Sequence, residues 1–99
     1  MAIKMRYVFL DGDKIGSPAA LHRAFAEALD LPDYFGRNMD ALHDCLTDIF
    51  EPVCVVAVNV PALREHLGRS ANAFGRLMAD LAEEKKGFRY LEEPFKDEK

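Results

Sequence analysis

No apolar run in these 99 residues approaches the ~20 that a membrane-spanning helix needs. No membrane partner is expected. The opening MAIKMRYVFL leads straight into strand-like residues. It lacks a long apolar stretch followed by a small-residue cleavage site, so a signal peptide is not expected and the cytoplasm is the expected location. Cysteine is scarce: Cys45 and Cys54 both sit in apolar-periodic segments and are expected to be buried, reduced thiols rather than a disulfide or a metal site. There is no glycine-rich phosphate loop, no Cys/His cluster at metal spacing and no nucleophile motif. The expectation is a protein without catalysis, metal or cofactor. Repeats, low-complexity segments and linkers are lacking too, which predicts one domain over 1–99 with 92–99 as a frayed tail.

Positive charge is also short. Thirteen Lys and Arg against seventeen Asp and Glu give a net charge of −4. The imbalance is local. The stretch Asp30–Glu51, DLPDYFGRNMDALHDCLTDIFE, holds Asp30, Asp33, Asp40, Asp44, Asp48 and Glu51 against Arg37 alone. Six acids and one base leave −5 there, so the rest of the chain sums to +1. A concentrated negative patch selects a strongly cationic partner and disfavours direct nucleic-acid binding. No basic aromatic surface argues the other way.

The chain reads as β, two helices, β, two helices, β. Arg6–Leu10 is a β-branched and aromatic run ended by Asp11-Gly12-Asp13, a strand and a turn. Ser17-Pro18 starts a helix that runs to about Leu29. Asn38 caps a second helix, with Asp40 near its positive end and Met39, Leu42, Leu46, Ile49 and Phe50 as its apolar face. Glu51-Pro52 stops it. Val53–Val58 is continuously apolar, as in a strand buried on both faces of a parallel sheet. Pro61–Leu67 reads as a short helix ended by Gly68. Asn72 opens a longer one with Phe74, Leu77, Met78 and Leu81 inward, Lys85-Lys86 in its last turn and Gly87 after it. Phe88–Leu91 is a third strand. Helical crossovers imply parallel strands. The expected fold class is α/β with a three-stranded parallel sheet.

On a helical wheel Asp40, Asp44 and Asp48 fall within about 80° of one another. The apolar positions lie opposite. Like charges at i, i+4 cost a helix roughly 0.2–0.5 kcal/mol per pair, and Asp48 sits near the end that disfavours anions. No Lys or Arg within the helix balances the stripe. Folding alone does not explain it. Tyr34, Phe35 and Gly36 adjoin it, and an aromatic beside carboxylates suits a partner rich in Arg, Lys or His. Phe35 is assigned to core packing. A hard cation is a poor fit, because the three aspartates span about 12 Å along one helix.

The run Leu31-Pro-Asp-Tyr-Phe-Gly-Arg-Asn-Met-Asp-Ala-Leu-His-Asp-Cys-Leu-Thr47 closely resembles the signature of the barstar family of intracellular inhibitors of barnase-type ribonucleases. The element order agrees with the barstar-like fold, so in outline the resemblance covers nearly the whole chain. It implies a bacterial, stoichiometric inhibitor whose acidic helix and preceding loop occlude a cationic nuclease site. Carried over residue by residue, it makes Tyr34 and Gly36 loop contacts and Asp40 and Asp44 the contacting acids, with Asp44 central. His43, Thr47 and Asp48 complete the expected face. A glutamate on the family's last helix matches Glu83 best, with Asp80 and Glu84 as alternatives. The chain departs from the family at His43, where the pattern has tryptophan. It departs again at Asp48 and Ile49, where glycine and tryptophan follow the threonine in the best-known member.

Other readings keep parts of this. The same fold is open to serving as an immunity or regulatory protein against a different cationic toxin or protein partner. His43 beside Asp44 suggests acid–base chemistry, but adjacent helical residues point about 100° apart and form no dyad. His22 and His66 read as exposed helix residues. Asn38 reads as a cap, and Cys45 and Leu46 as core.

Overall fold

Strand β1 (Arg6–Asp11), helices α1 (Pro18–Leu29) and α2 (Met39–Asp48), strand β2 (Val53–Val58), helices α3 (Val60–Leu67) and α4 (Ser70–Glu84), and strand β3 (Phe88–Glu93) follow one another along the chain. The structure is a computed structural model and describes residues 4–31 and 38–93. The three strands form one parallel sheet in the order β1-β2-β3. The expected α/β order is therefore present. β3 continues through Glu93, two residues into the stretch expected to fray, because Glu92 and Glu93 pair with Ala57 and Val58.

Register decides which side chains meet the core. Val8, Val55 and Tyr90 lie across the sheet from one another, as do Tyr7, Cys54 and Arg89 on the opposite face. The core uses only the first face: Val8, Leu10, Val53, Val55, Ala57 and Phe88 pack with Leu21 and Phe25 of α1, Leu63 of α3, and Phe74, Met78 and Leu81 of α4. On the other face Tyr7 and Phe9 are 65% exposed and Leu91 is 49% exposed. β2 is buried as its apolar run predicts, even at the outward Cys54 and Val58. Its flanking strands are not buried on that side, so the sheet is covered by helices on one face.

Local signals place the ends. Ser17 accepts a hydrogen bond from the Ala20 amide, with Pro18 as the first helical residue. Asp30 ends α1 in the left-handed region at φ 55°, a conformation Asp tolerates better than most residues. α3 and α4 each begin slightly before the expected position, at Val60 and Ser70. Lys85 lies just past the end of α4 rather than within it. Gly12 is required by proximity: a Cβ there would sit 2.1 Å from the Asn59 carbonyl oxygen and 2.7 Å from the Leu63 amide.

Two histidines differ from expectation in instructive ways. His22 is buried, 3% exposed, because it stands three and seven residues before Phe25 and Leu29 and so shares their inward stripe. His66 is exposed but not idle. Its Nδ1 lies 3.0 Å from the carbonyls of both Gly12 and Ile15. Carbonyls only accept, so Nδ1 carries the proton. That bond ties α3 to the turn after β1.

Candidate functional site

The acidic helix is held from beneath and from both ends. Asn38 accepts from the Ala41 amide at 2.8 Å, capping the start of α2. Leu42 and Leu46 are fully buried, each worth roughly 1.5–3 kcal/mol of burial. Their sum exceeds the few tenths of a kcal/mol per like-charge pair that the aspartates cost. At the far end the Lys85 ammonium donates to the carbonyl of Ile49, a cation placed where the helix dipole favours it.

The outward face is as the wheel predicts. Asp40, Asp44 and Asp48 are all exposed, and the Asp44 side chain is 86% exposed. Among the described residues no Lys or Arg approaches any of the three within 4.0 Å. The Thr47 hydroxyl donates back to the carbonyls of His43 and Asp44, at 2.8 and 2.9 Å. It therefore offers a partner only its acceptor lone pairs. Cys45 is half-buried, and its thiol pKa is raised by burial and by Asp48 and Asp44. It is held as an inert thiol. Tyr34 and Gly36 lie outside the described residues.

His43 is engaged across the helix pair. Its Nε2 lies 2.9 Å from Glu84 Oε1, whereas its Nδ1 stands 3.8 Å from Asp44 Oδ1, beyond hydrogen-bond range. The hydrogen bond to Glu84 raises the imidazole pKa above its ordinary value. Burial opposes this, and the charges of Glu84 and Asp44 add to it. The residue is thus a link from α2 to α4, and the non-dyad geometry expected of neighbours holds.

Helix α4 contributes a second wall. A groove of about 460 Å³ runs between the helices, with Asp40 and His43 on one side and Arg69, Arg76 and Asp80 on the other. Of the three acids considered on the last helix, Glu84 contacts His43 and Asp80 lines the groove. Glu83 is exposed and does neither. Asp80 and Glu84 are four residues apart and share a face.

One prominent residue was misplaced by sequence. Phe50 was assigned to the apolar face of α2, yet it is 86% exposed. The helix ends at Asp48, and Ile49 turns extended at φ −73°, ψ 127°. Phe50 therefore leaves the helical stripe and stands in solvent beyond the aspartates. The β-branched Ile49 followed by Phe50, Glu51 and Pro52 is the signal that could have ended the helix earlier. Among the described residues no group of three or more His, Cys, Asp or Glu is arranged to hold a metal ion, and no helix is long and apolar enough to cross a membrane.

What this arrangement offers is an exposed row of carboxylates, without Lys or Arg partners among the described residues, with an exposed aromatic at one end and a groove alongside. Comparison with known proteins points the same way. The family described as "Barstar (barnase inhibitor)" matches residues 5–93. A Bacillus subtilis protein named "Putative ribonuclease inhibitor YrdF" is 36% identical over 83 residues, covering 83% of this chain and 91% of the relative.

Proposed function

We propose that this chain, which belongs to the barstar family, is a ribonuclease inhibitor that works by stoichiometric occlusion. The acidic face of α2 enters the cationic active site of a barnase-type ribonuclease and takes the place of RNA phosphates. The observation that carries this reading is the row Asp40, Asp44, Asp48: exposed, without Lys or Arg partners among the described residues, and fixed on a helix anchored by Leu42 and Leu46. A site that holds phosphates is lined by Arg, Lys and His, and a carboxylate pairs with such groups bidentately. Asp44 is the central acid. Tyr34 and Gly36 join as loop contacts by family resemblance, and Thr47 offers acceptor lone pairs. Phe50 supplies apolar contact beside Asp48 and a ring face for a cation. The inhibitor performs no catalysis and acts in the cytoplasm, protecting its host as an immunity protein.

The test is titration of the chain into a barnase-type ribonuclease while RNA cleavage is followed. Inhibition should be complete near one-to-one. Breaking a desolvated ion pair by removing one partner costs about 3–5 kcal/mol, so Asp44→Ala should weaken inhibition by about 100-fold or more. Its unfolding midpoint should not fall, since Asp44 makes no contact the fold needs. Phe50→Ala should weaken inhibition by a smaller factor. Association should slow as salt rises. Full inhibition by Asp44→Ala would refute the central role of that acid. A folded wild-type chain that inhibits nothing would point to a different cationic protein as its partner.

A further inference from the structure

The groove beside the acidic stripe carries charge of both signs. Arg69, at the N-cap of α4, and Arg76 within that helix line it, opposite Asp40 and His43 of α2. Both arginines are exposed. Neither has a carboxylate within 4.0 Å among the described residues, although Asp40 and Asp80 line the same groove. Seven residues separate them, two helical turns or about 10.5 Å on nearly the same face. The two residues therefore lie in line along one wall, and Met39, Ala73 and Leu77 add apolar lining to the groove.

A purely cationic partner surface fits this wall badly. If the aspartates of α2 enter a site lined by Arg, Lys and His, the flank of that site meets two arginines. Like charges brought together in an interface are costly. We propose that Arg69 and Arg76 form a carboxylate-binding subsite, which takes an Asp or Glu standing beside the cationic active site of the partner ribonuclease. The proposal rests on the inhibitor reading and adds a rule of partner choice to it. A guanidinium presents a planar fork that matches a carboxylate with two parallel hydrogen bonds. A carboxylate suits the groove better than a phosphate does, because Asp40 and Asp80 repel a dianion more strongly than a single charge. A ribonuclease with the acid in place gains an ion pair. One with a basic residue there is rejected by repulsion, even though its active site is cationic. Partner choice is then set on α4, while α2 supplies the attraction common to all such enzymes.

The experiment compares the full chain with Arg69→Ala/Arg76→Ala and Arg69→Glu/Arg76→Glu, using inhibition of a barnase-type ribonuclease, with Asp44→Ala in parallel. Both arginines are exposed and have no carboxylate within 4.0 Å among the described residues, so the unfolding midpoint in urea should stay near wild type and serves as the check on folding. The alanine pair should weaken inhibition at least tenfold. The glutamate pair should weaken it further, and an Asp→Lys or Glu→Lys change on the ribonuclease surface flanking its active site should restore part of that loss. Inhibition by the alanine pair equal to or tighter than wild type would overturn the subsite and leave the inhibitor reading standing. A loss that no carboxylate reversal restores would overturn it too. A wild-type chain that leaves the ribonuclease uninhibited would overturn both.

Discussion

Cutting the His43–Glu84 link should weaken the fold in acid and much less in alkali. The Nε2 to Oε1 distance is 2.9 Å. The hydrogen bond to Glu84 is the main reason that the His43 pKa is raised, with the charges of Glu84 and Asp44 adding to it against burial. The folded state therefore holds this proton more tightly than the unfolded chain, whose histidine titrates near about 6.5. The stabilisation is fully present below that unfolded value and is lost as pH rises through the higher folded value. The side chains are 32% and 51% exposed, so solvent screens the pair, and its worth is about 0.2–1 kcal/mol. With a urea slope near about 2 kcal/mol per molar, that is a midpoint shift of roughly 0.1–0.5 M. The assay is a double-mutant cycle of His43→Gln and Glu84→Gln by urea unfolding, near about pH 5.5 and near about pH 9. Coupling should lie in that range at the lower pH. At the higher pH it should shrink toward the residual hydrogen bond of neutral imidazole. A coupling that is flat with pH, or that grows toward pH 9, would refute the reasoning.

Two further changes test the packing. Gly12→Ala would place a methyl 2.1 Å from the Asn59 carbonyl oxygen, which is backbone and cannot swing aside. It should cost about 1–3 kcal/mol as overpacking, read from the urea midpoint, and a neutral result would mean that the turn after β1 sits farther from α3. Phe9 and Leu10 are neighbours on β1 that face opposite sides, 65% and 0% exposed. Leu10→Ala should cost about 2–5 kcal/mol and Phe9→Ala no more than about 0.5 kcal/mol, as for other surface sites. Equal losses in the two unfolding curves would show that the outer sheet face is covered in solution.

Element order was readable because several boundaries have a local signal nearby. Ser17-Pro18, Asn38, Glu51-Pro52 and Gly87 act within a few residues of themselves, and the aspartate stripe follows from spacing along one helix. The features that were missed, together with the misplaced His22 and Phe50, depend on something a short window does not contain. The Glu84 contact requires the rotation of α4 relative to α2, and a shift of one residue is about 100° on the wheel. Arg69 and Arg76 reach the groove from about thirty residues away in sequence, through packing that no periodicity reports. His22 shares the spacing of Phe25 and Leu29, yet its polarity argued for solvent. Phe50 was placed by extending a helical period one residue past the actual helix end.

These differences bear on how an acidic helix stays folded while presenting its charge. The aspartates oppose the fold mildly, by repulsion along α2 and by Asp48 near a negative helix end. Pairing them with nearby bases would relieve that cost and would also neutralise the face a cationic partner needs. The structure relieves it elsewhere. Leu42 and Leu46 anchor the inward side, Lys85 answers the C-terminal carbonyl at Ile49 rather than a carboxylate, and Glu84 engages His43 Nε2. Among the described residues no Lys or Arg thus stands within 4.0 Å of Asp40, Asp44 or Asp48. Glu84 also limits the repulsion that a protonated His43 would offer an incoming Arg or Lys. On the proposed reading, stability and binding draw on different faces of one helix, so the acids should be replaceable one at a time without unfolding it.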